Sequence, residues 1–194
     1  TAGRSEVVLA VEQEPVLAQR GGPLVELAFA IPRGRRIDWL VEKATELGVA
    51  VLQPIGFTRS VTRADAESAG KQDRWLGHCI SAARQCELDF LPQVRPIQSL
   101  PDYLDTCSAE LKLMGEVGDA AGTLFDAVSP WHAGETISLL IGPEGDLTED
   151  ERSCCHENGF RPIHFGHTIL RVETAAIALT AGIVAICDHL ADRV

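Results

Sequence analysis

The sequence predicts an α/β domain with a mostly parallel sheet and helices on both faces. Three observations support this fold class. Short apolar segments typical of buried strands alternate along the chain with segments whose apolar residues recur at helical spacing. Glycine-containing loops directly follow two of the predicted strands. The 194 residues suffice for one domain with a sizeable core, and they contain no internal repeat.

The first half of the chain contains three predicted strands and two predicted helices. The strands cover residues 7–11, 24–30 and 51–57. The first helix ends at Gly48, since glycine is favoured directly after a helix, and the second ends before Pro92. The apolar positions that define these two helices are Ile37, Leu40, Val41, Ala44 and Leu47, followed by Trp75, Cys79, Ala82, Ala83 and Cys86.

The second half continues the alternation. Strands are predicted over residues 111–114, 136–141 and 162–165. Thr148 and Glu151 have the spacing of a capping box, which predicts a helix that ends near Gly159. A long helix follows over residues 173–190. It is apolar nearly all round, which predicts a buried helix with a second subunit as a possible neighbour.

The net charge of −11 argues at first against a nucleic-acid partner, because phosphate contacts normally need a basic surface. The charges are, however, unevenly distributed. Residues 98–160 carry 13 acidic and only 2 basic side chains, so the rest of the chain is neutral. A group of basic residues is consistent with either a local RNA-binding face or scattered solvated side chains: Arg33, Arg35, Arg36, Arg59, Arg63, Lys71 and Arg74.

Six cysteines are scattered without a CxxC pair, which predicts reduced core thiols. Cys154, Cys155 and His156 come nearest to a metal cluster, but adjacent helical residues point about 100° apart, so no metal site is predicted. No apolar run approaches the ~20 residues that cross a bilayer. The first residues also lack the pattern of a signal peptide. We therefore expect a cytoplasmic protein with no membrane partner.

The two glycine-containing loops are the candidate ligand site, because ligands of parallel sheets bind at the carboxyl ends of the strands. Residues 142–145 read Gly-Pro-Glu-Gly, and residues 166–168 read Gly-His-Thr. Neither loop has the spacing of a dinucleotide fingerprint or a P-loop. Such loops allow close approach of the backbone to a ligand, with amide and carbonyl groups available for adenine and ribose.

Arg171 and Glu173 stand at the start of the long apolar helix, where ionic side chains are unusual. In a structural interpretation the two residues pair or cap the neighbouring backbone. In a functional interpretation Arg171 projects toward the loops and stabilises negative charge on a substrate. The sequence pattern leaves both interpretations open.

Four segments, in this order, resemble the RsmE family of ribosomal RNA uridine N3 methyltransferases, members of the SPOUT class. They are residues 31–34 with 42–49 (IPRG and EKATELGV), residues 58–61 (TRSV), residues 140–145 (LIGPEG), and Gly166 with residues 169–175 (ILRVETA). Each segment is short, but the ordered set is specific, and the resemblance covers residues 24 to 190.

The resemblance implies a C-terminal trefoil knot that forms a site for S-adenosylmethionine, although unknotted chains are the general expectation. It implies methylation of N3 of one uridine in the 16S RNA of the small ribosomal subunit. Arg171 would stabilise the deprotonated uracil, and Glu173 would orient Arg171 or the start of the helix, or act as a base. The implied cofactor-binding residues are Leu113, Met114, Gly115, Glu116, Ile141, Gly142, Pro143, Glu144, Gly145, Phe165, Gly166, Thr168, Ile169 and Leu170.

The resemblance also implies a homodimer whose active site lies near the subunit interface, and it assigns RNA binding to the basic group. The RNA-binding candidates are Arg33, Arg35, Arg36, Arg59 and Arg63. Residues 1–20 resemble the last strand and linker of an N-terminal PUA-like β-barrel, and residues 21–194 form the methyltransferase domain.

Two positions depart from the family pattern. Leu88 replaces an arginine near the end of the second predicted helix, which puts RNA contact or activity in question. Asp146 replaces a glycine after Gly145, a milder change that suits a helix N-terminus.

Two other functions compete with methyl transfer. One is a non-catalytic SPOUT-like dimer that binds RNA or cofactor, which the loss of the arginine at position 88 would favour. The other is a different enzyme on an open flavodoxin-like or nucleotide-binding sheet. Binding of S-adenosylmethionine with turnover, binding without turnover, and preference for a flavin or nucleotide distinguish the three.

Overall fold

A computed structural model describes residues 10, 14, 20–60, 69–116, 121–166 and 168–192. Its strands are β1 (Leu24–Ala30), β2 (Val51–Gly56), β3 (Gln93–Val94), β4 (Gln98–Ser99), β5 (Leu111–Gly115), β6 (Gly122–Thr123), β7 (Thr136–Ile141) and β8 (Arg161–His164). Its helices are α1 (Arg36–Glu46), α2 (Ala69–Gln85), α3 (Leu100–Thr106), α4 (Leu124–Val128), α5 (Glu149–Glu157) and α6 (Val172–Ala191). The strand predicted over residues 7–11 lies outside the described residues, apart from Ala10.

The strands form a single eight-stranded sheet within the described ranges. Its order is β3-β2-β1-β7-β5-β8-β6, and β4 also pairs with β2. Each pairing between described strands is parallel, which confirms the predicted sheet type. The central strands β1 and β7 align from Leu24 opposite Thr136 to Phe29 opposite Ile141, so their carboxyl ends lie side by side.

Helices cover both faces of the sheet, as predicted. Alternate residues of β1 show the arrangement: Val25, Leu27 and Phe29 face one core, whereas Ala28 and Ala30 face the other. The first core is completed by α1, α2, α4 and α6, and the second by α3 and α5. Burial on both faces explains why these strands are apolar runs rather than alternating patterns.

Helix ends follow the predicted local signals. Gly48 follows α1 with φ of +75°, a conformation that glycine adopts without a Cβ penalty. The Thr148 hydroxyl accepts a hydrogen bond from the Glu151 amide, and the Glu151 carboxylate accepts one from the Thr148 amide. This reciprocal pair confirms the capping box and places the start of α5 directly after the loop that follows β7, residues 142–147.

Two short helices, α3 and α4, were not predicted. Their N-caps are Ser99 and Thr123, whose hydroxyls accept hydrogen bonds from the amides of Asp102 and Asp126. With 7 and 5 residues, these helices are too short to show a periodic apolar pattern.

Helix α6 differs from its prediction. One face of α6 packs against α1, α4, β1 and β7. Within the most apolar stretch of the helix, only 28% of the residues are buried. Its length and composition would suffice to cross a membrane, a test that core helices of soluble proteins also pass. The prediction of a helix buried all round is therefore not met within one subunit. Apolar residues away from the core, such as Ile177 and Val184, are only half-buried.

Candidate active site

A cavity of about 720 Å³ opens at the carboxyl ends of β5, β7 and β8. Gly115 and Glu116 contribute to it from the end of β5, and residues 141–144, 146 and 147 from the end of β7. The end of β8 supplies Ile163 and His164, the segment after it supplies residues 165, 166 and 168–170, and α6 supplies Val172, Ala175 and Leu179. Three adjacent strands thus deliver their following loops to one place, as parallel sheets do at ligand sites.

Two glycines allow the walls of this cavity to pack closely. A Cβ on Gly142 would overlap the side chain of Leu147. A Cβ on Gly115 would lie 3.0 Å from Ile141 Cδ1 and 3.1 Å from Leu179 Cδ1, tighter than ordinary contact. A side chain at position 142 would thus displace Leu147 in the loop after β7.

Arg152 of α5 holds two acidic residues at the cavity wall. Its guanidinium contacts the Glu116 carboxylate and lies 3.0 Å from Asp146 Oδ2. The Arg152 side chain is 21% exposed, so this pairing is partly shielded from water. Sequence analysis missed Arg152, although it is one of only two basic residues in the acidic stretch 98–160.

Glu173 pairs with Arg36 rather than with Arg171. Arg36 Nη1 lies 2.7 Å from Glu144 Oε1, and Arg36 Nε lies 3.7 Å from Glu173 Oε1. The Glu173 side chain is only 8% exposed, and its Oε2 has no hydrogen-bond partner among the described residues. Arg171 is exposed at the N-cap of α6 and makes no side-chain capping bond. The structural interpretation of an Arg171–Glu173 pair is thus wrong, and Arg36 links α1, the loop after β7 and α6.

Arg59 holds the same loop from the other side. Its Nη1 donates hydrogen bonds to the carbonyl oxygens of Gly145, at 3.1 Å, and Leu147, at 3.4 Å. The amide of Thr58 donates to Glu151 Oε1 at 2.7 Å. The segment after β2 is therefore tied to the loop after β7 and to the start of α5.

The five RNA-binding candidates have different surroundings. Arg33 and Arg35 are exposed, whereas Arg36 and Arg59 are engaged in contacts within the chain. Arg63 lies outside the described residues. Leu88, the departure from the family arginine, follows α2 and lines neither of the two cavities described here.

Most predicted cofactor residues line the large cavity, and three do not. Leu113 and Met114 are fully buried within β5, where their side chains enter the two cores of the sheet. Gly145 lines a second, smaller cavity instead. The predicted residues that do line the large cavity are Gly115, Glu116, Ile141, Gly142, Pro143, Glu144, Phe165, Gly166, Thr168, Ile169 and Leu170. The lining residues that sequence analysis missed are Ala121, Asp146, Leu147, Ile163, His164, Val172, Ala175 and Leu179.

A second cavity, of about 110 Å³, adjoins the loop after β7. It is formed by Ala30 at the end of β1, by residues 31–33 that follow β1, by Arg59 and Ser60 after β2, and by residues 143–145 and Val172. The two cavities share Pro143, Glu144 and Val172 as a common wall. The site therefore has two adjoining compartments.

The cysteines take no part in either cavity within the described structure. Cys79, Cys155 and Cys187 are buried, as expected of core thiols, whereas Cys154 is exposed. Burial raises the pKa of the Cys155 thiol to about 12, so this thiol stays protonated at neutral pH. In the described ranges no group of three or more His, Cys, Asp or Glu residues is placed to hold a metal ion.

Comparison with known proteins identifies relatives of this chain. The sequence profile of a family described as RNA methyltransferase domain matches residues 22–184. The ribosomal RNA small subunit methyltransferase E of Bacillus subtilis is 32% identical over 166 residues, which cover 81% of this chain and 64% of that protein. The chain thus spans a little under two thirds of the length of this relative.

Solved structures show the same fold. A ribosomal RNA small subunit methyltransferase E from Neisseria gonorrhoeae, bound to S-adenosylmethionine, superposes with a TM-score of 0.75 at 33% identity over 84% of this chain and 66% of that one. A methyltransferase from Legionella pneumophila with the same cofactor bound has a TM-score of 0.78 at 31% identity, with the same coverage. These likenesses support the predicted fold class, while the trefoil knot stays a prediction.

Proposed function

Because the chain belongs to the RNA methyltransferase domain family, we propose that it transfers a methyl group from S-adenosylmethionine to N3 of a uridine in small-subunit (16S) ribosomal RNA. The observation that carries this proposal is the large cavity at the carboxyl ends of β5, β7 and β8. The relatives named ribosomal RNA small subunit methyltransferase E support the RNA substrate.

The chemistry of the large cavity fits S-adenosylmethionine. Its volume of about 720 Å³ lies within the usual range of small-molecule sites. Apolar side chains such as Ile141, Ile163 and Leu170 suit a flat adenine ring. The Glu116 carboxylate, held by Arg152, can accept hydrogen bonds from ribose hydroxyls. Glu116, Glu144 and Asp146 also make the walls acidic, which suits a cationic sulfonium group.

The cofactor supplies an electrophilic methyl carbon bonded to a positively charged sulfur. The protein then has to hold the uridine N3 in line with that carbon, because correct orientation removes much of the entropic barrier. We assign Arg171 the role of stabilising negative charge on the uracil oxygens, because it stands in the chain between Leu170 and Val172, which line the large cavity. Arg171 itself is exposed and lines neither cavity. Glu173 positions Arg36, and we do not assign it the role of base.

RNA approaches the site, in this proposal, over the exposed guanidinium groups of Arg33, Arg35 and Arg171. Exposed arginines attract the phosphate backbone, and of these three Arg33 also lies 3.9 Å from Glu144 Oε2. Arg36 and Arg59 contribute indirectly in this proposal, because they hold the loop after β7 in place and do not contact the RNA themselves. The protein would work in the cytoplasm as a homodimer, in which a second copy covers the accessible apolar surface of α6.

The test is transfer of labelled methyl from S-adenosylmethionine to small ribosomal subunits that lack this modification, followed by digestion of the RNA. We expect 3-methyluridine as the product. Arg171→Ala should reduce the rate about 10²–10³-fold, the usual effect of losing one group that stabilises an oxyanion. Arg84→Ala, on the exposed face of α2, is the matched control and should leave the rate unchanged.

Two outcomes would reject the proposal. The first is binding of the cofactor without methyl transfer, both by this chain and by a version that carries an N-terminal barrel. This result would favour the non-catalytic binding protein. Transfer of methyl to another nucleoside or another atom of uridine would contradict the assigned product.

A further inference from the structure

The small cavity adjoins the large cavity that we assign to the cofactor. It is formed at the carboxyl ends of β1, β2 and β7, which are adjacent in the sheet. Its volume of about 110 Å³ exceeds the ~30 Å³ that one water molecule occupies in the liquid, so it has room for a small planar group but not for a whole nucleotide. Ala30, Ile31 and Pro32 provide an apolar side, and Arg59 and Ser60 a polar one.

Three residues line both cavities and form a shared wall at which the two cavities adjoin. Pro143, Glu144 and Val172 belong to both. Arg59 fixes this wall by donating to the Gly145 carbonyl, and a Cβ on Gly145 would lie only 3.3 Å from Arg59 Cβ. A ring in the small cavity would therefore lie next to the large cavity, at the border that these well-held residues form.

Glu144 is the chemically active part of this wall. Among the described residues that line the small cavity, only Glu144 carries a carboxylate. Its Oε1 accepts a hydrogen bond from Arg36 at 2.7 Å. Its Oε2 lies 3.9 Å from Arg33 Nε, which is too long for a hydrogen bond. One oxygen is thus held by Arg36, and the other is free to accept a hydrogen bond from a substrate. The side chain is 39% exposed, so RNA can reach it.

We propose that the small cavity holds the uracil ring of the target nucleotide and that Glu144 Oε2 accepts the proton from N3. This inference rests on the proposed function and adds to it the base-binding subsite and the general base. A carboxylate facing N3 also explains a choice of uracil, because uracil N3 donates a hydrogen bond whereas cytosine N3 accepts one.

The proposed step balances in atoms and charge. The N3–H bond breaks as an O–H bond forms on Glu144, and the electron pair stays on N3. That pair forms the new bond to the methyl carbon, while the electrons of the carbon–sulfur bond remain on sulfur, which becomes neutral. Glu144 afterwards releases its proton to water through the exposed side of the cavity. Arg36 stays hydrogen-bonded to Oε1 throughout and keeps the carboxylate aimed at the ring.

The first test is the rate of Glu144→Gln, whose amide oxygen can still accept from Arg36. We expect a loss of about 10²–10⁴-fold at neutral pH, the usual worth of a positioned base. The loss should shrink as the pH approaches the ordinary pKa of uridine N3, because hydroxide then removes the proton. Affinity for S-adenosylhomocysteine, which lacks the sulfonium charge, should stay within about twofold when it is measured by calorimetry. Glu157→Gln, on the exposed side of α5, is the matched control.

A second test does not depend on turnover. Uridine and cytidine 5′-monophosphate are titrated into ¹⁵N-labelled protein loaded with S-adenosylhomocysteine, and the amide signals of Ser60 and Gly145 are followed. We expect uridine monophosphate to shift both signals and to bind about tenfold more tightly than cytidine monophosphate, since a carboxylate repels the cytosine N3. Glu144→Gln should narrow this preference, because its amide can also donate to cytosine.

The outcomes separate this inference from the proposed function. Suppose that the wild-type protein forms 3-methyluridine. If Glu144→Gln is then equally active, or is slowed by the same factor at every pH, Glu144 is not the base, although the proposed function stands. If nucleotides leave Ser60 and Gly145 unaffected at millimolar concentration, the uracil site is wrong. If the wild-type protein forms no 3-methyluridine, the proposed function fails, and the titration alone decides whether the cavity binds uracil.

Discussion

At the scale of single residues, three arginines organise the site by holding carboxylates and carbonyl groups. Arg36 joins Glu144 to Glu173, Arg59 binds the loop after β7, and Arg152 holds Glu116 and Asp146. Glu173 is the most dependent on its partner, because a buried carboxylate without compensation is costly. These contacts place the polar groups of the loops before any ligand arrives.

Removal of Arg152 should weaken cofactor binding rather than unfold the protein. In Arg152→Gln the Glu116 carboxylate loses its partner and can turn away from the cavity. We expect the dissociation constant for S-adenosylmethionine to rise about tenfold, which corresponds to ~1.4 kcal/mol. Calorimetric titration measures this, with Arg84→Gln as a control for loss of one positive charge. An unchanged dissociation constant would show that Glu116 does not contact the cofactor.

At the scale of elements, α5 shows how a local cap fixes a site. Its capping box fixes the start of the helix directly after the loop that follows β7. Glu151 of the same box also accepts a hydrogen bond from the Thr58 amide, 93 residues away in sequence. One carboxylate thus closes the helix start and ties it to the segment after β2.

This carboxylate should make stability depend on acidic pH. Burial raises the pKa of Glu151, but hydrogen bonds from Thr148 and Thr58 outweigh burial and lower it below its ordinary value of 4.5. A lowered pKa in the folded state contributes stability above the unfolded-state pKa, and this is lost as the pH falls through the folded-state value. Glu151→Gln should therefore be less stable than the wild type at neutral pH, and the difference should shrink below about pH 4.5.

Urea unfolding of both proteins between neutral pH and pH 3 measures this difference. Glu157→Gln at the exposed end of α5 is the matched control for the loss of one carboxylate from this helix. A Glu151→Gln difference that stays constant down to the lowest pH would contradict the assigned hydrogen bonds.

At the scale of the whole molecule, the exposed surface of α6 is unusual for a helix of this composition. Val172, Ala176, Leu179 and Ile183 face the core, whereas Ala185 on the opposite side is exposed. A helix of such apolar composition normally buries most of its surface. The same helix lines the large cavity, so a subunit covering it would also border the site.

A charged residue introduced on the exposed side of α6 should separate the proposed dimer into monomers. Ala185→Arg places a guanidinium on the exposed side of α6, where burial in an interface would leave it unpaired. We expect the wild type to have the mass of a dimer and Ala185→Arg that of a folded monomer, measured by light scattering after size-exclusion chromatography and by circular dichroism. Ser153→Arg on α5 is the control and should remain dimeric. A monomeric wild type, or a dimeric Ala185→Arg, would place the interface elsewhere or remove it.

The sequence predicted correctly those helices and strands whose signals lie within a few neighbouring residues. The strands around Leu27 and Leu139, the helix that ends at Gly48 and the capping box of Thr148 all depend on residues within one or two turns of each other. The placement of loops at the carboxyl ends of strands also followed, because parallel connections always return to the same edge. Most of the large cavity could therefore be predicted from two short motifs and the family resemblance.

By itself the sequence determined the fold class, the main elements and the loops that carry the site, since periodicity, caps and glycine conformations act over short distances. Only the tertiary structure decided which charges meet. Arg36 and Glu144 are separated by 108 residues, and Arg59 and Gly145 by 86. The order of strands in the sheet brings such residues together, and no local pattern encodes that order. For the same reason Arg171 stands apart from Glu173, although the two are neighbours in sequence: the first turn of α6 points them in different directions.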